Sequence, residues 1–315
     1  MIVIRPLHTL EELHACEQLQ KEIWGFEDIS VVPHHLLLTT IKNGGVLLGA
    51  FESEPADESA GSAGFLQSQN ERLIGFVYGF PGIENQRLKH CSLMCAVLPE
   101  RRFQGVGYEL KLKQREAVLA QGIELITWTF DPLVSPNAHF NLHKLGVISN
   151  RYERNLYGDM RDRLNAGLET DRLTVEWWIA SPHVQARLSL LGTSPPAPPR
   201  HGEGSSPFPL REGGQGVRSR LINQTEEHEG LLVNCDYSLE RTEPQLFLEI
   251  PYDWQRMREQ NMELVREWRK VTRAIFEHYF AQGYWASDFL VTEEGGRKRA
   301  FYLLERASRE VLLQR

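Results

Sequence analysis

A chain of 315 residues, 41% hydrophobic and 24% charged, can bury a substantial core, which excludes disordered and fibrous classes and fits one large or two smaller domains. A formal net charge of −7 and a pI near 5.9 leave no basic footprint for nucleic acid or an anionic membrane. The start, Met1-Ile2-Val3-Ile4-Arg5-Pro6, lacks a basic segment ahead of a long apolar one, and no run approaches the ~20 apolar residues of a membrane span; a cytoplasmic protein without nucleic-acid or membrane partners is expected.

Ile2 to Pro6 alternates like an opening strand, and Thr9-Leu10-Glu11-Glu12 reads as an N-cap with an acidic first turn for a helix reaching Trp24. Pro33 to Lys42 predicts a second helix, opened by the pair His34-His35 and closed by Asn43-Gly44-Gly45. Val46 to Phe51 and Leu73 to Phe80 are expected as antiparallel strands around Glu52 to Glu71, a Ser-, Ala-, Gly- and acid-rich segment read as a long mobile hairpin loop. His90 to Leu98 is the next strand. A periodic helix from Gly107 to Gln121 and a β-rich run from Glu124 to Phe130 complete a β-α-β unit. Asp131-Pro132 breaks that run, Ser135-Pro136 starts a helix that ends at Leu145-Gly146, and Val147 to Tyr157 and Leu173 to Ala180 follow as strands.

Ser194 to Ser219 is Pro- and Gly-dense without aliphatic periodicity and is expected as a disordered linker. Order resumes with a strand at Leu246 to Ile250. Trp254, Met257, Leu264, Trp268, Val271, Ile275 and Tyr279 then recur at helical intervals, and Tyr284 to Val291 and Arg299 to Leu304 form a strand pair. The Trp268 stripe is read as core. Cys91 and Cys95 lie four apart on a strand, hence on one face; with Cys16 and Cys235 they are read as buried thiols, zinc or a disulfide being the sharper alternative.

The stretch richest in chemistry is Arg102-Phe103-Gln104-Gly105-Val106-Gly107, between the strand ending at Leu98 and the helix that follows. A strand feeding a glycine turn that opens a helix aims backbone N–H groups and the helix dipole at one point, where a diphosphate sits best. A P-loop is excluded because no Gly-Lys-Ser/Thr closes the turn, and a dinucleotide fingerprint because Leu110 stands at its third small position.

What remains, R-x-x-G-x-G after Val97-Leu98-Pro99-Glu100, resembles the acyl-coenzyme-A loop of the GNAT (Gcn5-related N-acetyltransferase) superfamily. A second match is Asn137-Ala138-His139-Phe140-Asn141-Leu142-His143-Lys144-Leu145-Gly146, on the expected helix. The resemblance covers about residues 1 to 182 and implies a mixed α/β sheet of GNAT type. A linker at 183–230 and a smaller β-α-β-β subdomain at 231–315 complete the expected organisation, similar to that of two-part GNAT proteins. It further implies a pyrophosphate held by the amides of Gln104 to Gly107 with Phe103 in the loop, added charge from Arg102, and a pantetheine arm paired with the backbone of Ala96, Val97 and Leu98 in a gap between splayed strands. Asn137 caps its helix or meets the pantetheine amide.

The reaction implied is direct transfer from acetyl-CoA, succinyl-CoA or another acyl-CoA to the amine of a small molecule, an amino acid being one acceptor class, without a metal. A base and an acid are needed. The family's usual acid, a tyrosine on the second motif helix, is replaced by Leu142, and Phe103 departs from the usual glycine or polar residue. Asp131 is the candidate base or charge anchor, and His143, Tyr152 and Tyr157 are candidates for the missing acid. Arg151 and Arg154 are candidate partners for a succinyl carboxylate, and His34-His35 for the acceptor. The rival reading is a non-catalytic acyl-CoA-binding or assembly module. A homodimer is left open.

Overall fold

A computed structural model describes residues 1–53, 71–160, 166–190, 217 and 219–315. They cluster into two compact units that divide between Ile126 and Thr127. The stretch 54–70, holding most of the expected hairpin loop, and 191–216 with 218, holding most of the expected linker, lie outside the described residues.

The first unit opens with β1 (Ile2–Pro6) and α1 (Leu10–Trp24). The capping box forms as expected. Thr9 Oγ1 accepts from the amide of Glu12 at 3.2 Å, and the Glu12 carboxylate accepts from the amide of Thr9 at 3.1 Å. Gly25 ends the helix in the left-handed region with φ 70°, its amide donating to the carbonyl of Lys21. After α2 (His34–Lys42), the strands β2 (Val46–Ser53), β3 (Glu71–Glu84) and β4 (Arg87–Val97) form an antiparallel meander in which β1 pairs with β2, β2 with β3 and β3 with β4. Leu13, Leu37, Phe76, Val77, Leu110 and Val118 are fully or almost fully buried in this unit.

The hairpin of β3 and β4 is longer than Leu73 to Phe80 and His90 to Leu98, closing on Asn85 and Gln86, both at positive φ. Pro81-Gly82 reads as a breaker, but β2 ends its pairing at Gly79. Pro81 therefore has a strand on one side only, where a missing N–H costs no ladder bond. A second correction concerns the cysteines. Tyr78 pairs with Met94 and Gly79 with Ser92, so Leu93 is an extra residue, a β-bulge that reverses the alternation. Cys91 and Cys95 thus lie on opposite faces. Cys91 is half-buried, Cys95 and Cys235 are exposed, only Cys16 is buried, and all four are free thiols.

The helix α3 (Val106–Ala120) follows β4, and β5 (Leu125–Phe130) crosses from the first unit into the second. In the second unit, α4 (Ser135–Ala138) runs directly into a π-helical stretch, His139–Leu145, which stops at left-handed Gly146. β6 (Ile148–Glu153) pairs antiparallel with β7 (Arg172–Trp178). Two elements occupy the stretch expected as linker, α5 (Pro182–Leu190) and β8 (Asn223–His228), the latter in a separate hairpin with β9 (Leu231–Tyr237). Their short sequences carry weak periodicity, so neither announces itself.

The remaining elements are β10 (Gln245–Ile250), α6 (Trp254–Gln260), α7 (Met262–Ala281), β11 (Tyr284–Glu294), β12 (Arg297–Arg306) and α8 (Arg309–Leu313). β11 and β10 flank β12, and β11 also bridges to β6 through Ala286 and Ser149, so these C-terminal strands continue the β6–β7 sheet. The Trp268 stripe is core, as expected. Trp268 is 1% exposed, and its indole donates to the carbonyl of Leu232 at 2.9 Å. Tyr302 sits edge-on to both Phe276 and Phe289, with ring centroids 5.0 and 4.8 Å away. The architecture is a mixed α/β sheet with the order of elements the GNAT resemblance implies and a smaller, β-rich C-terminal part. No helix among the described residues is long and apolar enough to cross a membrane.

Candidate functional site

The glycine turn begins where β4 stops. The amide of Leu98 still donates to Ile74, and Pro99–Arg101 then makes a single 3₁₀ turn. Ion pairs within the first unit fasten this turn: Arg101 to Glu52 at 2.7 Å and Arg72 to Glu100 at 3.1 Å. Arg102 folds back so that Nε donates to the carbonyl of Val97, and the Gln104 side-chain Nε2 donates to the carbonyl of Glu100. The turn is thereby tied down at both shoulders while its crest stays open.

At that crest, Phe103 and Gly105 both adopt left-handed backbone, with φ 61° and 87°. Glycine accepts this without penalty, but a bulky residue pays about 1–2 kcal/mol. Phe103 is 82% exposed and has no packing to compensate, so the strain belongs to the turn itself. Among the described residues, none accepts a hydrogen bond from the amides of Phe103, Gln104, Gly105, Val106 and Gly107. Five successive donors at the start of a 15-residue helix form a concave positive end suited to an anion. Gly107 sharpens this point. Its φ is not left-handed, and a Cβ there would lie 3.7 Å from Val97 Cγ2, an ordinary contact. The packing around it does not require glycine at 107, so a group approaching the crest meets bare backbone there.

Ala96 and Val97 are paired on one edge to Phe76 and Gly75 of β3. Behind the strand lies a polar cluster. Lys111, 2% exposed, donates to Ser92 Oγ at 3.0 Å and Gln114 Oε1 at 2.8 Å, and the Gln114 amide reaches His90 Nε2 at 3.2 Å. Burial pulls the Lys111 ammonium down to about 8 and the His90 imidazole to about 4.

The candidates for the acid and base all belong to the second unit, while the pair His34-His35 opens α2 in the first. Asp131 is held by Arg269 in a bidentate pair of 2.8 and 2.6 Å, with Arg172 at 3.7 Å, and its Oδ1 also accepts from the amide of Leu133. A carboxylate so engaged is a charge anchor rather than a free base. Tyr152 donates to Asp171 Oδ2 at 2.7 Å, an oxygen shared with Arg273. Burial first, then the charge of Asp171, drives the Tyr152 phenol far above its usual range. Asp131 and Tyr152 are thus brought into one network through the arginines of α7, although its proton ties Tyr152 to Asp171. Tyr157 is half exposed and bonded to Thr129 at 2.8 Å.

His143 sits elsewhere, on the π-helical stretch. Its Nδ1 donates to Asp288 Oδ1 at 3.0 Å, and Arg187 holds Oδ2 of the same carboxylate at 2.8 Å. Burial opposes the charge on Asp288, but the His143 hydrogen bond and the Arg187 charge outweigh it and keep the acid below its usual range. A bulge at Ser287 turns Asp288 inward. This carboxylate–imidazole pair fixes the tautomer and leaves Nε2 as the acceptor. Neither Asp288 nor Arg187 is among the sequence candidates. An acid within the apolar run Tyr284 to Val291 was the available signal for Asp288; Arg187 lay in a stretch expected as linker. Asn137, on α4, is exposed and offers its side chain to no described residue. Arg154 pairs bidentately with Glu277, and Arg151 lies 3.5 Å from Glu153, so ion pairs account for both.

No protein-family model and no curated protein sequence matches the chain. Solved structures overlap it more loosely. NAA60 from Arabidopsis thaliana, in complex with acetyl-CoA, matches at 15% identity and a TM-score of 0.42, covering 56% of this chain and 99% of its own. The ribosomal-protein-S18-alanine N-acetyltransferase from Escherichia coli matches at 13% and 0.41, over 57% and 94%. The PaiA N-acetyltransferase from Thermoplasma acidophilum, in complex with coenzyme A, matches at 20% and 0.37, over 56% and 98%. At these identities and scores the overlap carries no functional weight.

Proposed function

We propose that the chain is an acyl-CoA-dependent N-acyltransferase, passing an acetyl or succinyl group from the thioester to the amine of a small molecule such as an amino acid. The observation that carries this reading is the crest of the glycine turn, where five amides without acceptors among the described residues meet the positive end of α3 beside a glycine whose neighbours do not require it. A pyrophosphate supplies the oxygens these donors lack. Direct transfer then requires an acceptor amine to lose a proton before attack and the leaving thiolate to gain one. Of the sequence candidates, the first task goes to His143, because Asp288 orients its ring. Asp131 serves as a charged scaffold with Arg269, and protonated Tyr152 donates to Asp171 beside Arg273.

Titration with coenzyme A, followed by turnover of acetyl-CoA and succinyl-CoA against a panel of amines, tests the proposal. Gly105→Glu places a carboxylate at a left-handed position among the donors and is expected to weaken coenzyme A binding by about 100-fold or more. His143→Gln is expected to lower kcat by about 10² to 10⁴ while leaving coenzyme A affinity unchanged. Unaltered affinity in Gly105→Glu overturns the reading. Tight binding without amine-dependent thiol release leaves the non-catalytic module instead.

A further inference from the structure

Within the first unit, three side chains unused by the proposed chemistry converge on one point. His14 and Glu17, three residues apart, project from the same face of α1, and His34 is the first residue of α2. His14 Nδ1 lies 2.9 Å from Glu17 Oε2, and His34 Nδ1 lies 3.0 Å from Glu17 Oε1. The ligand atoms of all three residues fall within 4.8 Å of one another, and the two imidazole centroids are 4.3 Å apart. We propose that His14, Glu17 and His34 form a binding site for a divalent transition metal of the zinc class, open to solvent on its fourth side.

The donor set is the first argument. Two imidazoles and a carboxylate suit zinc, whereas magnesium and calcium call for oxygens alone. In a tetrahedral site with bonds near 2.1 Å, ligand atoms stand ~3.3 Å apart. Each Nδ1 already stands near that distance from its own oxygen of Glu17, His34 from Oε1 and His14 from Oε2, and turning the exposed His14 ring brings it to a metal held by Oε1 and His34. The metal-coordinating tautomer carries its proton on Nε2, which has no partner among the described residues for either histidine.

Preorganisation is the second argument. Glu17 Oε1 accepts from the backbone amide of His34 at 2.5 Å, which pins the start of α2 against α1. One turn along α1, Gln20 takes both polar groups of Val32, accepting from its amide at 2.8 Å and donating to its carbonyl at 3.1 Å. The position of His34 is thus set by backbone bonds. Glu17 needs no imidazole to perform that capping, and capping does not explain why two imidazoles point their Nδ1 atoms at one carboxylate. A dication at this point would join α1 to α2 and add to the stability of the first unit.

The test is zinc binding to the full chain, without an affinity tag, by competition with a chromogenic chelator in the presence of excess magnesium. One equivalent is expected to bind the wild type, to weaken by at least about tenfold in His14→Ala and in Glu17→Gln, and to raise the thermal midpoint of the wild type but not of His14→Ala. His14 is largely exposed, so its variant tests the site without disturbing the core. Zinc held equally by both variants would belong to other groups, such as the exposed thiols of Cys95 and Cys235, and would overturn the proposal; so would failure of the folded wild type to bind. Coenzyme A affinity is measured in parallel and is expected to be the same in His14→Ala, so that the two proposals stand or fall separately.

Discussion

The two units handle buried charge in opposite ways. In the second, interior acids are matched by guanidinium groups: Asp131 with Arg269, Asp171 with Arg273, Asp288 with Arg187, Glu249 with Arg299 and Glu305 with Arg315. In the first, Lys111 donates to the neutral oxygens of Ser92 and Gln114, and His90 accepts from the Gln114 amide. Paired charges keep their ionisation under burial, whereas groups resting on neutral partners are pushed toward their uncharged forms. The acids of the second unit therefore depend on their partners, while Lys111 and His90 of the first answer to pH, as His139 and His183 of the second do.

The largest expected effect breaks a pair. Asp288 and Arg187 are 1% and 5% exposed, so Asp288→Ala strands a buried guanidinium and should cost about 3–5 kcal/mol in chemical denaturation. A loss below about 1 kcal/mol would mean that this pair behaves like a surface bridge and that the contrast is false there.

An intermediate effect belongs to His90, fully buried, with its folded value near 4 against about 6.5 when unfolded. Above 6.5 neither state binds the proton. Between 6.5 and 4 only the unfolded chain does, so stability falls with pH through that window, by up to about 3 kcal/mol from this group. Unfolding measured from pH 7 to 4 should show a shallower slope in His90→Gln than in the wild type. His139 and His183, also lowered to about 4 by burial, supply slope that the variant keeps. Identical slopes would remove His90 from the account.

The smallest effect reverses the usual sign. Holding Lys111 charged in its buried site is costly, so Lys111→Met should stabilise the chain by about 1–2 kcal/mol at pH 7, a gain that fades as pH rises from about 8, where the folded lysine loses its proton, to about 10.5, where the unfolded one does too. Destabilisation at pH 7 would show that the hydrogen bonds of Lys111 outweigh its desolvation.

Much of the first unit could be read along the chain because its determinants are local. Thr9 with Glu12, the Gly25 stop and the turn around Gly105 are settled by residues within one helical turn of each other. The bulge at Leu93 was not legible, because it shows only against β3, where the small Gly79 leaves room for the His90 imidazole that a Cβ would strike. His34 was noticed as half of a histidine pair, but its partners on α1 lie seventeen and twenty residues earlier in the chain. Nothing in the pair itself names them.

The sequence alone determined where α1, α2 and α3 begin and end and where the glycine turn sits, since capping, left-handed backbone and helix polarity act within a few residues. Tertiary structure decided which ionisable groups are free. Asp131 meets Arg269 across 138 positions and His143 meets Asp288 across 145, and folding turned the first from a candidate base into an anchor while giving the second its orienting acid. No local pattern encodes such meetings, because a charge is priced by the groups that surround it after burial, and these come from the whole length of the chain.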